Sequence, residues 1–154
     1  MSSFEEIDNN IQKWLSEEKW PFYEVIDSSF RKGYIVDLGK NIGVIIDHID
    51  RITIQHKFIL DEDMKTSYRL SSSREMFFYD LRIRLMVLEV NTKLSTSIDE
   101  FDGVDIRKYI YFDGFSRDVV MNSIFKIFDA VNLVGILWNM FISASKNPSK
   151  KDMK

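Results

Sequence analysis

The chain has 154 residues, enough for one domain that buries about two-thirds of its unfolded surface, and its 45% apolar and 29% charged content is that of a globular protein. Cysteine is absent, which excludes disulfides, a thiol nucleophile, Cys-ligated zinc and iron–sulfur clusters. The formal charge is −3, but four of the lysines fall in residues 146–154, so the first 145 residues carry 17 basic against 23 acidic side chains and lack the basic excess of a phosphate-binding surface.

The N-terminal residues include Glu5, Glu6 and Asp8 without the basic and apolar runs of a secretory leader. No window of eighteen uncharged apolar residues reads as a membrane span. The expectation is a cytoplasmic protein with no membrane contact.

Ser3 followed by Glu6 is a capping-box pattern. Phe4, Ile7, Ile11, Trp14 and Leu15 recur at helical spacing until Pro21 stops the helix. Short strands follow: 22–27, 33–38 and 42–46, with Gly39-Lys40-Asn41 as a tight turn between the last two. Residues 47–50 turn the chain again. Residues 51–58 then alternate, with Ile52, Ile54, His56 and Phe58 against Thr53, Gln55 and Lys57. Such short connections favour an antiparallel meander.

Asp61-Glu62-Asp63 opens a polar connection. Ser72 with Glu75 makes a second capping box, predicting a helix to about Lys93 with Phe77, Leu81, Leu85 and Leu88 on one stripe, Ile83, Met86 and Val90 beside it, and Asp80, Arg82, Arg84 and Glu89 on the wet side. Residues 96–101 are ambiguous and fit a strand. Asp102-Gly103 is a turn signal, 104–112 a strand, and Ser116 caps a final helix to about Ser143. The expected architecture is α+β: an antiparallel sheet packed with three helices in α-β-β-β-β-α-β-β-α order, forming one domain over 1–145, with 146–154 a disordered Lys-rich tail.

Catalytic signals are sparse, and the expectation is no catalytic group, no cofactor and no metal. His56 falls on an apolar strand face and His48 in a turn, and their spacing matches no ligand pattern. With Gly103 set at the sixth position of a calcium loop, Ile98 and Tyr109 occupy the first and twelfth positions, so the EF-hand pattern fails. Arg107, Tyr109 and Tyr111 offer a base-stacking face, which the acidic body disfavours, and no nucleic acid is expected.

The final helix is the most informative segment. Asp118, Asn122, Lys126 and Asp129 form a polar stripe that runs on into Leu133, Ile136 and Met140. The helix thus starts amphipathic and ends apolar nearly all round, so either its own chain or a partner must cover that end.

Ile11-Gln12-Lys13-Trp14-Leu15 with Trp20-Pro21-Phe22, then Asp50-Arg51-Ile52-Thr53-Ile54, then residues 110–116 from Ile110 to Ser116 resemble an archaeal family of uncharacterised proteins. The predicted fold of that family is similar to the type III secretion chaperones and the YbjN-like sensory-transduction proteins. The resemblance covers most of residues 4–142 and implies an α–β–α–β–α layout with a twisted antiparallel sheet. Through the secretion chaperones it also implies homodimers that hold an extended client on apolar grooves.

The leading expectation is a non-catalytic protein- or peptide-binding module, chaperone- or adaptor-like and homodimeric, with a peptide or protein client. Its binding residues are Phe77, Leu81, Leu133, Ile136, Leu137, Trp138 and Met140, of which Phe77 and Leu81 also fit a plain core role. The alternatives are an enzyme that uses carboxylates and His56, and a nucleic-acid-associated factor.

Overall fold

The computed structural model describes residues 3–95 and 97–146. Helix α1 (Phe4–Glu17) starts where the Ser3 side chain accepts a hydrogen bond from the Glu6 N–H, and it buries Ile7, Ile11 and Leu15. It ends with Lys19 in the left-handed region (φ 59°) and the Trp20 N–H bonded to Leu15 O, a Schellman-type stop placed just before Pro21.

Strands β1 (Phe22–Val25), β2 (Lys32–Asp37), β3 (Asn41–Ile46) and β4 (Arg51–Ile59) form a meander. Strand β6 (Gly103–Tyr111) pairs beside β4, and β5 (Asn91–Lys93) pairs outside β6. The six-stranded sheet is antiparallel throughout, in the order β1-β2-β3-β4-β6-β5. Val36 stands opposite Ile42, Val44 opposite Ile54, and Ile52 opposite Ile110, so one face of the sheet is a buried apolar surface. Helix α4 (Arg117–Lys146) lies across β3, β4 and β6 and buries Val120, Ile124, Ile127, Val131 and Val134. The Ser116 hydroxyl accepts from the Val119 N–H at its start, as the sequence leads one to expect.

Four α-helices are present among the described residues where three were expected. The acidic run that reads as a loop is the first turn of α2 (Glu62–Leu70): the Asp61 carboxylate accepts from the Met64 N–H at 2.8 Å, and Glu62 and Asp63 sit favourably at the positive end of the helix. Helix α3 (Arg74–Val87) is shorter than the expected 72–93. Its cap position is Ser73, without a side-chain cap bond, so the Ser72–Glu75 capping box does not form. It stops near Glu89, which takes a left-handed φ of 56°, and Asn91–Lys93 leaves to pair with β6. The ambiguous stretch contains a 3₁₀ turn at Ile98–Glu100, while Thr96 lies outside the described residues. A second 3₁₀ turn, Phe112–Gly114, leads into α4. Residues 147–154 of the expected tail also lie outside them, and Lys146 still belongs to α4.

An aromatic part of the same core covers the far end of α4. Phe77 of α3 packs against Trp138 and stacks on Phe141 at 4.7 Å between ring centroids, Tyr68 of α2 packs against Phe141, and Phe101 packs against Tyr68 and Phe77. The Tyr68 hydroxyl donates to Ile98 O at 2.6 Å, and burial pushes that phenol up to about 12. Helix α4 also corrects one expectation, because it is long and apolar enough to cross a membrane by length and composition. Here one of its faces packs on the sheet, and 39% of that apolar window is buried.

Candidate functional site

Helix α3 has two apolar faces. Phe77, Phe78, Leu81 and Leu85 point into the core. Met76, Tyr79, Ile83, Met86 and Val87 lie about 180° away around the helix and are exposed. Polar side chains occupy the strips between: Asp80 and Arg84 on one flank, joined at 2.8 Å, and Glu75 and Arg82 on the other. A soluble helix ordinarily gives its outward face to charge.

Helix α4 runs antiparallel to α3. At one end Lys126 pairs with Glu89 at 3.5 Å, and at the other Met76 and Met140 line the same cleft. That cleft, of about 190 Å³, has buried Phe77, Leu137 and Phe141 at its base, with exposed Met76 and Met140 and half-buried Asp80 at its rim. Beyond it α4 exposes Ile136 at 57% and Met140 at 63%. The outer surface of the α3–α4 layer therefore carries apolar side chains of both helices, Met76, Met86 and Met140 among them, with Asp80 and Arg84 between them at the seam.

The seven residues expected to bind a partner divide between core and surface. Phe77, Leu81, Leu137 and Trp138 are buried, so on that side of α4, where the sequence leaves open whether the chain itself or a partner supplies the cover, aromatic side chains of the same chain do so. Leu133 is half-buried, and Ile136 and Met140 are exposed. The exposed stripe of α3 is absent from the sequence-level expectation, which places Ile83 and Met86 beside the core stripe and assigns no role to Met76 and Tyr79. The available signal is the 3-4-3 spacing of Met76, Tyr79, Ile83 and Met86, opposite a complete core stripe.

Other chemistry-bearing groups are engaged structurally. The His56 ring donates from Nδ1 to Asn41 O at 2.7 Å and the His48 ring from Nε2 to Ser28 O at 2.9 Å; among the described residues no acid forms an ion pair with either. On the open face of the sheet Arg107 donates two bonds to Asp105, at 3.0 and 2.9 Å. Arg51 lies 4.3 Å over the Tyr109 ring and pairs with Asp47, which also accepts from the Thr53 hydroxyl. Of the disfavoured base-stacking group, Arg107 and Tyr109 are thus engaged by neighbours, while Tyr111 is exposed. Among the described residues no group of three or more His, Asp or Glu side chains is placed to hold a metal ion.

One buried carboxylate ties α1 to the sheet. Asp8 accepts from Lys32 Nζ at 2.8 Å, from the Tyr34 hydroxyl at 2.5 Å and from Gln12 Nε2 at 3.2 Å. Burial alone would raise its pKa; the three hydrogen bonds outweigh that and hold the carboxyl below its ordinary value. Burial and the same bond push the Tyr34 phenol up to about 12. Another cleft, about 580 Å³, lies where β4 and β6 meet β5, and mixes Lys57 and Lys93 with Glu100, Asp102 and Asp105.

No curated protein matches the chain. A solved structure, that of an uncharacterised protein from Methanothermobacter thermautotrophicus, is similar at a TM-score of 0.76 and 26% identity, over 88% of this chain and 99% of that one. A family model described as "Uncharacterized conserved protein (DUF2299)" matches residues 7–137, and the chain belongs to that family.

Proposed function

We propose that this chain is a non-catalytic protein-binding module, chaperone- or adaptor-like in layout, that assembles as a homodimer through the outer face of α3 and α4. The observation that carries the reading is the exposed stripe of Met76, Tyr79, Ile83, Met86 and Val87, continued by Ile136 and Met140 on the neighbouring helix. A face of this kind in water is stabilised by covering it, and a second copy supplies an equal apolar area. The enzyme reading has less support, because His56 is held by a backbone carbonyl rather than oriented by an acid. The nucleic-acid reading has less as well, since Arg107 and Arg51 are already neutralised by Asp105 and Asp47.

Light scattering behind size exclusion, run over a range of protein concentrations, tests the proposal. A dimer is expected, and Ile83→Asp should convert it to a monomer with an unchanged circular dichroism spectrum. A wild-type chain that stays monomeric at every concentration would overturn the reading.

A further inference from the structure

We infer that Met76, Met86 and Met140 make the outer face of α3 and α4 an oxidation site, at which peroxide converts three thioethers to sulfoxides and turns the face polar. The loss of association that follows rests on the reading above that the chain associates through this face.

The placement of sulfur carries the inference. The chain has no cysteine, so methionine holds all of its sulfur. Among the described residues Met121 is buried in the core and Met64 is half-buried against it. The remaining three, Met76, Met86 and Met140, are exposed at 76%, 73% and 63%, and all of them stand on the outer face of α3 and α4. Met76 and Met140 line one cleft. Met86 lies ten residues from Met76 along α3, about 15 Å along the helix axis. The accessible sulfur of the described chain is thus gathered on a single surface.

Hydrogen peroxide alone balances the reaction. A sulfur lone pair attacks one peroxide oxygen, and the S–O bond forms as the O–O bond breaks. The displaced hydroxide takes up the proton of the S–OH group and leaves as water. Sulfur gives up two electrons and the peroxide gains them. Access decides where this happens, because the oxidant reaches the sulfur through water.

The product differs from the thioether in polarity. A soft apolar group becomes a strong hydrogen-bond acceptor, and covering it without a donor costs the desolvation of a polar group. Three of the seven apolar side chains exposed on this face change in this way, while Tyr79, Ile83, Val87 and Ile136 hold no sulfur. No core residue has to be altered, so the face changes while the fold stays. A dimer uncovers the face each time it dissociates, and oxidation of the free chain then draws the equilibrium toward monomer.

The test treats the full chain with hydrogen peroxide over time and maps the oxidised positions by peptide mass spectrometry. Met76, Met86 and Met140 should each gain one oxygen well before Met121. The circular dichroism spectrum should not change, and light scattering should show the dimer lost. Methionine sulfoxide reductases with dithiothreitol should restore it. A triple variant, Met76→Leu, Met86→Leu and Met140→Leu, exchanges apolar side chains of similar volume and should keep its dimer through the same treatment. Oxidation of Met121 at the rate of the other three would overturn the inference, and so would a chain oxidised at all three positions that remains dimeric; either result leaves the binding-module reading standing. An untreated chain that is monomeric at every concentration would overturn that reading and the loss of association with it, while the mapped order of oxidation still decides the site.

Discussion

Leu81 and Ile83 are two residues apart on one helix and should respond to truncation in opposite ways. Leu81 is fully buried, so Leu81→Ala removes apolar contacts and leaves a cavity, costing about 2–5 kcal/mol of stability at any protein concentration. Ile83 is 62% exposed, and Ile83→Ala should change the stability of the isolated chain by no more than about 0.5 kcal/mol. Its effect falls on association. Full burial of an isoleucine side chain is worth about 1.5–3 kcal/mol, the exposed share of that is about 1–2 kcal/mol per copy, and a symmetric dimer loses it twice. The dimer should weaken by about 2–4 kcal/mol, or roughly 30- to 900-fold in dissociation constant. Sedimentation equilibrium measures the second quantity. Urea unfolding at protein concentrations on either side of the dimer midpoint separates the two effects. Equal loss of stability from both variants, independent of concentration, would refute the two-faced reading of α3.

The backbone and the buried carboxylate give further predictions. Gly103 has φ +146°, and a Cβ placed there would lie 2.1 Å from Phe58 O, whereas Gly39, at φ +83°, has open space around it. Gly103→Ala should therefore cost roughly 2–4 kcal/mol and Gly39→Ala only about 1 kcal/mol by urea unfolding; equal costs would show that β6 can shift to admit the methyl group. The Asp8 carboxyl titrates below its ordinary 3.8 in the folded chain, so the stability it contributes is present above that pH and lost as pH falls through the lowered value. Tyr34 titrates above its ordinary 10.0, near 12, so its contribution is complete below pH 10 and lost between pH 10 and 12. Asp8→Asn should flatten the acid limb of a stability–pH profile, and Tyr34→Phe the alkaline limb; unchanged limbs would show that the cluster does not couple to folding. His56→Ala should leave dimer formation intact, as measured by light scattering.

The α+β class, the β2–β3–β4 meander, β6 and the start of α4 were legible because each rests on a local signal: alternation across a sheet with one wet face, a tight turn, or a hydroxyl cap. Helix α2 was hidden because an N-cap and an acidic first turn use the same residues as a solvated loop, and Asp61-Glu62-Asp63 carries no mark that separates them. Strand β5 was hidden because Asn91–Lys93 has no apolar alternation, and its three residues are held by pairing with β6. Of the candidate face, Ile136 and Met140 were legible from the drift of the α4 polar stripe into apolar residues. The α3 stripe was not, because a helix with a satisfactory core face prompts no search for a second one. The cover over Trp138 was also beyond reach, since it depends on Phe58 of β4 and Phe77 of α3 arriving from separate segments.

Comparison of α1 and α3 shows how unusual the outer face of α3 is within the fold. Both helices have fourteen residues and both bury one apolar stripe. The outward positions of α1 are Glu5, Glu6, Asn9, Lys13, Ser16 and Glu17, all polar and all exposed. Those of α3 carry five large apolar side chains, while its charges are confined to narrow flanks. Ile26, Ile49, Ile59 and Leu70 are also exposed, but they lie at strand ends, in turns and at a helix end, separated in sequence, as isolated apolar residues on any protein surface are. The α3 residues differ because regular helical spacing aligns them into one strip beside α4. Composition and local structure being otherwise similar, the two helices differ in their outer sides: polar for α1, and apolar for α3.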